Sequence, residues 1–344
     1  MLMNTAWIQF LHAQPSAKDD LKPDETGWLA LNLRASIQVA GSEAADFLQA
    51  MLTQEILTLS PTQATLSALC NAKGRILSTL TVHPEHTPQG LAYHLTVPQA
   101  LRADLFKTLK LYVLRRKLSL TLADDWGFIG LINPTKDLLA ALAIDREPQS
   151  LHQQIMLADG LIATWEHQSG NPRLSIQGSL APLALLAERI AALGSIFVTQ
   201  TVWDCAEIHD GLPEIHPATY LEFVPQWVNL DLLAAVSFKK GCYPGQEVIA
   251  RLHYLGKSNR RMMMGHTTHP QLLTPGTLIY SANQPDTEVG EIVRSALCRS
   301  GDVVSQQFLA VIRLNHAQDA LLVDHHPCTL NPNPLGENPP AQTH

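Results

Sequence analysis

The sequence predicts an α+β fold that ends in a small all-β domain, and three observations carry that prediction. A length of 344 residues suits two or three domains of about 100–200 residues each. The apolar pattern up to about Val113 reads strand, helix, strand, hairpin, helix, without the steady strand–helix alternation of a doubly wound sheet. Beyond Arg261 the pattern shortens to brief strands divided by turn pairs, as in a small barrel or sandwich.

Residues 1–27 hold Pro15, Pro23 and a mixed-charge run from Lys18 to Lys22, and they read as a loose lead-in. Alternation at Leu29, Leu31 and Leu33, and again at Ile37 and Val39, marks strands that stop at Gly41. Ser42 offers an N-cap, and Ala44, Phe47, Leu48, Met51 and Leu52 line one helical face. After Ser60-Pro61, a strand is expected over Ala64 to Cys70 and another over Ile76 to Val82. Pro84 and Pro88 mark a turn over His83–Gly90 before the partner strand Ala92 to Val97. Pro98 opens a helix with Leu101, Leu105 and Leu109 on its buried side. The stretch 124–200 repeats the mixture, with a helix near 137–143 and an amphipathic one over 180–193. The late strands are expected at Met262–Met264, Leu278–Tyr280, Val289–Val293, Phe308–Leu314 and Ala320–Val323. The proline-rich end, 331–344, is expected to be disordered.

Composition narrows the function. With 24 Lys+Arg against 31 Asp+Glu the net charge is −7, which argues against a strongly basic nucleic-acid binder. The charged share of 16% lies below the usual ~25%, so this is not a disordered acidic chain. Five scattered cysteines, Cys70, Cys205, Cys242, Cys298 and Cys328, form no CxxC pair. That favours free thiols in a reducing compartment over a disulfide scaffold. No leader pattern stands out, and Leu180–Val198 is interrupted by Pro182, Glu188 and Arg189. A cytoplasmic protein with no membrane partner is expected.

The densest chemistry lies in Ser237–Gly256, SFKKGCYPGQEVIARLHYLG. Cys242 stands on a glycine–proline turn beside Lys239 and Lys240, where neighbouring cations would favour a thiolate. Gln246 and Glu247 add an amide and a carboxylate, and Arg251 follows one helical turn after Glu247. The pattern suits thiol chemistry or recognition of a polar ligand. A tight loop with an incidental cysteine is the plain alternative.

Lys240-Gly241-Cys242-Tyr243-Pro244-Gly245-Gln246-Glu247 with Ala250-Arg251 resembles the signature K-G-C-[FY]-x-G-Q-E-x-x-A-R of the YgfZ family, a folate-binding branch of the aminomethyltransferase (glycine-cleavage T-protein) superfamily. Gly211-Leu212-Pro213, Phe223-Val224-Pro225-Gln226 with Asn229-Leu230, and Asn71-Ala72-Lys73-Gly74-Arg75 agree with the flanking family patterns. The resemblance implies a three-domain ring of two ferredoxin-like α+β modules, interleaved in sequence, plus a C-terminal β-barrel. Residues 28–258 would form the folate-binding aminomethyltransferase-like region, its modules divided near 124, and 259–330 the barrel.

The resemblance also implies a ligand, tetrahydrofolate or a one-carbon derivative. It implies a role supporting assembly or repair of iron–sulfur enzymes, tRNA-modifying ones included. On this reading Cys242 is a reactive thiol, and Lys239, Lys240, Gly241, Tyr243, Gly245, Gln246, Glu247 and Arg251 support its loop. Trp203 maps onto a folate-contacting tryptophan. A second family tryptophan falls near Arg34, with Trp28 as the nearest indole.

The parent transferases resemble G-G-x-x-D-D where this chain reads Gly74-Arg75-Ile76-Leu77-Ser78-Thr79. Hydroxyls at Ser78 and Thr79 do not replace two carboxylates as charge or base. Aminomethyl transfer of the parent type is therefore disfavoured, and a one-carbon transferase with a different base is the runner-up. A third reading is an RNA-associated factor using Lys107, Lys110, Arg115, Arg116 and Lys117, although a solvated helix face is the plainer account and direct tRNA binding is not expected. Metal sites can be drawn from Cys205, His209 and His216, or from His325, His326 and Cys328, but their spacing is loose; no metal is expected.

Overall fold

The computed structural model describes residues 5–88, 90–144, 148, 150–167, 172–256, 258–301 and 303–331. In chain order the elements begin with α1 (Thr5–His12), β1 (Gly27–Ala30), β2 (Arg34–Ala40), α2 (Ala44–Met51), β3 (Thr65–Cys70), β4 (Ile76–Thr87), β5 (Gly90–Pro98) and α3 (Arg102–Val113). They continue with β6 (Ser119–Leu122), β7 (Trp126–Ile132), α4 (Lys136–Ala141), β8 (Gln154–Met156), β9 (Ile162–His167), β10 (Arg173–Ser179), α5 (Leu180–Ala192), β11 (Ile196–Phe197) and α6 (Gln200–His209). The last are α7 (Gln246–Tyr254), β12 (Arg260–Thr267), β13 (Leu278–Ser281), β14 (Gln284–Ser300), β15 (Val303–Arg313), β16 (Leu321–Val323) and β17 (His326–Leu330). The mixed α and β architecture follows the sequence pattern.

Two compact units interleave along the chain. The first comprises Met1–Ala45, Thr58–Thr65 and Thr81–Trp203, and the second Asp46–Leu57, Leu66–Leu80 and Asp204–His344. Strand β4 therefore begins in the second unit and finishes in the first.

In the first unit a six-stranded sheet runs β11-β1-β7-β10-β9-β8, antiparallel except for the β1–β11 pair. Its core gathers Trp28, Ile129, Leu131, Leu174 and Ile176 from the strands with Leu183, Ala187 and Ile190 from α5. The first unit also holds the second half of β4 beside β5, which pairs with β2, and β2 with β6. Leu105 and Leu109 bury one face of α3, the side its leucine spacing predicts.

Two local expectations change. The segment read as a loose lead-in carries α1, whose Trp7 is buried and begins a chain of ring contacts through Phe10 and Trp28 to Phe197. The turn expected over His83–Gly90 is mostly strand: β4 runs to Thr87, with Pro84 opposite Tyr93. A proline keeps its acceptor, and the Pro84 carbonyl takes a hydrogen bond from Gln154 Nε2 at 3.0 Å. The tract His326–Leu330, weighed as a metal sequence, is strand β17. Among the described residues no group of three or more His, Cys, Asp or Glu side chains is placed to hold a metal ion.

In the second unit a closed barrel is formed in the order β12-β15-β14-β13-β16-β17. It is filled by inward side chains such as Ile279, Ile292, Phe308, Ala310 and Ile312. Of the tail 331–344 expected to be disordered, Asn331 is ordered, its N–H donating to the Met264 carbonyl at 2.8 Å, and 332–344 lie outside the described residues. Among the described residues no helix is long and apolar enough to cross a membrane.

Candidate functional site

The cysteine loop is built within the second unit, against residues far from it in sequence. Gly245 takes φ +83 and caps α7. A Cβ there would meet the Asn71 carbonyl oxygen at 2.5 Å and Gly74 Cα at 2.6 Å, so only glycine permits both the left-handed turn and the close approach. The facing turn is itself tight: Asn71 Oδ1 accepts from the N–H groups of Lys73 and Arg75 at 2.9 and 3.0 Å. Two stretches picked out by the sequence, 71–75 and 240–247, are thus one structural element. Gln246 closes the loop from within, its Nε2 donating to the carbonyls of Lys240 at 3.3 Å and Gly241 at 3.4 Å. Ile249, fully buried, anchors α7, and Gln226 Nε2 donates to its carbonyl at 2.7 Å. Glu247 lies in the first turn of α7 and Arg251 in the last, each where the helix dipole favours its charge.

Cys242 is exposed at the tip of this loop, whereas Cys70 and Cys328 are free but buried. Burial pushes the Cys328 thiol up to about 12 and Cys70 higher still. Lys240 corrects the sequence reading. Its side chain is only 8% exposed, and its ammonium donates to the carbonyls of Leu52 at 2.8 Å and Gln54 at 2.7 Å. It fastens the loop to the 52–54 backbone, and Lys239 is the exposed cation of the pair. Burial lowers the Lys240 pKa to about 8, against the pull of Glu55. Tyr243 turns inward: burial, then the neighbouring Cys70, raises its phenol pKa.

The first unit holds a cavity of about 360 Å³ walled by Trp7, Arg34, Arg102, Asp124, Trp126 and Phe128, among others. Trp126 is fixed on both counts that matter for an indole. Its ring stacks on His94 at 3.9 Å, and its Nε1 donates to Gln177 Oε1 at 3.1 Å. Arg102 pairs with Asp124 at 2.8 Å. Arg34 pairs with buried Glu166 at 2.8 Å and lies 5.3 Å from the Trp203 ring centre. Burial alone would raise the Glu166 carboxyl, but Arg34, His152 and the Ser175 hydroxyl hold it at about 2. Behind this pair His83 bonds Gln154 at 2.8 Å, and burial drives its pKa down to about 3, so it is a neutral ring at ordinary pH.

Neither tryptophan singled out by the sequence lines this cavity. Trp203 is 1% exposed; Arg34 and Arg173 lie over its ring, and a Cβ on Gly130 would stand 2.6 Å from it. Trp28 is buried in the aromatic chain described above. Of the two indoles in the cavity wall, Trp7 is buried and Trp126 is partly exposed, and sequence reasoning missed both. Arg34, near which the resemblance places a second tryptophan, is in the cavity wall. Ser78 is buried, its hydroxyl donating to the Thr79 carbonyl at 2.7 Å.

Cys205 and Cys298 also depart from expectation: they form a disulfide. Their pairing joins residues 93 apart in sequence, which spacing alone does not reveal, and it removes Cys205 from the metal set considered above.

No family model matches the chain. Over 239 residues it is 29% identical to a curated protein named tRNA-modifying protein YgfZ from Colwellia psychrerythraea (strain 34H), a match spanning 69% of this chain and 71% of the relative. Among solved structures, the crystal structure of glycine cleavage system aminomethyltransferase T from Bartonella henselae matches with a TM-score of 0.75. That match covers 96% of this chain and 90% of the other at 15% identity, so it speaks to fold alone. The aminomethyltransferase fold expected from the sequence is the one observed.

Proposed function

We propose that this chain, related to a tRNA-modifying YgfZ protein and built on the aminomethyltransferase T fold, binds a reduced folate and supports tRNA modification through iron–sulfur enzymes. The observation that carries the reading is the cavity in the first unit, because its walls combine flat aromatic faces with two guanidinium groups. A pterin or aminobenzoyl ring matches the Trp126 and Phe128 side, and Arg34 or Arg102 matches the carboxylates of a glutamate tail. Tetrahydrofolate would supply a carrier for a one-carbon group. The chain itself supplies no carboxylate at Ser78 or Thr79, which favours a binding or supporting role over aminomethyl transfer. Cys242, the exposed free thiol, is the group we assign to contact with the client enzyme.

Calorimetric titration with tetrahydrofolate and its 5-formyl derivative tests the ligand. Saturable binding, weakened at least tenfold in both Trp126→Leu and Arg34→Ala, is the expected result. Absence of binding at 1 mM folate overturns the reading. In cells, Cys242→Ser is expected to lower iron–sulfur-dependent tRNA modification while leaving folate affinity unchanged.

One observation favours direct contact with RNA as a second reading. Lys107 and Lys110 on α3, and Arg115 and Lys117 just after it, are all exposed, with the half-exposed Tyr112 between them in sequence. A tRNA mobility shift that is lost in Arg115→Glu/Lys117→Glu would promote it. Four phosphate contacts would weaken binding roughly 100-fold between 50 and 200 mM salt.

A further inference from the structure

The Cys205–Cys298 bond lies where two elements are already fastened by charge. From α6, Asp204 and Glu207 both reach Arg294 of β14, at 3.1 and 2.9 Å. Arg294 is buried, and its Nη1 also donates to the Leu212 carbonyl at 3.3 Å, in the turn that follows α6. A β-bulge between Ile292 and Arg294 shifts the β14–β15 register. Bulges re-aim side chains, and here the residues from Arg294 onward alternate anew. Arg294 and Cys298, four apart, then share the face that meets α6. One cysteine follows Asp204 directly and the other follows Arg294 by two strand steps, so the covalent and ionic fastenings act side by side.

We propose that Cys205–Cys298 is a thiol–disulfide exchange site for low-molecular-weight thiols, with the Asp204–Arg294–Glu207 cluster keeping α6 docked when the bond is open. The proposal does not rest on the folate reading. A bond that merely staples two elements is needed most where nothing else joins them, and here three polar contacts already do. The scattered cysteines also lack the density of a disulfide scaffold. Access is unequal: Cys205 is partly exposed and Cys298 is buried.

The chemistry follows from that asymmetry. A thiolate RS⁻ attacks Cys205 Sγ, forming RS–S–Cys205 as the Cys298 sulfur leaves with the bonding pair and takes up a proton. A second RS⁻ attacks the RS sulfur of the mixed disulfide. Cys205 is released as a thiolate that is then protonated, and RSSR departs. Two RSH are oxidised and one protein disulfide is reduced; RSSR, for example glutathione disulfide, drives the reverse. What changes is the restraint on Asp204–Ile215, the end of α6 and its following turn, which the bond holds covalently and the ions hold reversibly.

The test uses the full chain carrying Cys242→Ser, equilibrated in buffers of varied glutathione to glutathione-disulfide ratio, then acid-quenched, alkylated and mapped by mass spectrometry. The expected result is a Cys205–Cys298 linked peptide that forms and is lost reversibly across the series. On reduction, amide exchange over 204–215 should rise at least tenfold while β15 is unchanged. Cys205→Ser in the same background should reproduce the reduced state, with Tm lower by roughly 10 °C and the barrel folded. No linkage in any buffer, linkage through another cysteine, or global unfolding on reduction or in Cys205→Ser each overturns the proposal.

Discussion

Replacing Glu166 with glutamine removes one charge from the first unit and leaves its shape intact. The carboxylate lies 2.8 Å from the Arg34 guanidinium and is held at about 2 against an ordinary 4.5. By linkage, that depression is worth about 3 kcal/mol at neutral pH. Removing one partner of a buried pair costs a similar ~3–5 kcal/mol. Glu166→Gln is therefore expected to lower the stability of the first unit by about 3 kcal/mol at pH 7, a fall in Tm of roughly 6–12 °C. Because the folded pKa is below the unfolded one, the contribution is complete above the unfolded value and is lost as pH falls toward the folded value. The gap between parent and variant should shrink to about 1–1.5 kcal/mol at pH 3. Urea unfolding at pH 7, 5 and 3 measures it. A gap under 1 kcal/mol at pH 7, or one that does not narrow on acidification, would mean that the Arg34–Glu166 pair does not hold this unit together.

Three further outcomes are expected. Iodoacetamide on the native protein should label Cys242 at least tenfold faster than Cys70 or Cys328, as peptide mapping would show, because only Cys242 is both free and exposed. Lys240→Met should cost about 2–3 kcal/mol by orphaning the Leu52 and Gln54 carbonyls, whereas Lys239→Ala should change stability by less than about 0.5 kcal/mol; chemical denaturation separates them. Gly245→Ala should cost at least about 2 kcal/mol, from its φ of +83 and the collision with Asn71 and Gly74, and protease susceptibility near residues 71–75 should rise with it.

Elements whose signal is local were legible in the sequence. The helix at Ala44–Met51 follows from a serine before a 3.6-residue apolar stripe, and the late strands follow from apolar runs cut by Pro275-Gly276 and Gly301. The cysteine loop was legible as a turn because glycine and proline announce backbone geometry. What its residues do was less so: Lys239 and Lys240 are equivalent in sequence, and only the fold turns one into solvent and the other onto two carbonyls. The cavity was not legible. Trp7, Arg34, Arg102 and Trp126 come from four elements, and a single buried tryptophan reads the same from sequence as one beside a cavity. The disulfide escaped for the same reason, since two cysteines on a helix and a distant strand carry no pairing signal.

The interleaving of the two units has a consequence for how the chain is made. Ile76 N–H donates to the Phe223 carbonyl, and Gly74 approaches Val248, so Leu66–Leu80 cannot find these partners until residues beyond Asp204 have been synthesised. At about 5–20 residues per second, the intervening stretch, on the order of 150 residues, takes on the order of 10–30 s to emerge. Throughout that interval Ile76 lacks its Phe223 partner and Gly74 its Val248 neighbour, whereas Leu69 can already pair with Leu52, and β3 with β4. Synthesis speed over residues 80–250 is therefore a variable that the yield of folded protein should follow.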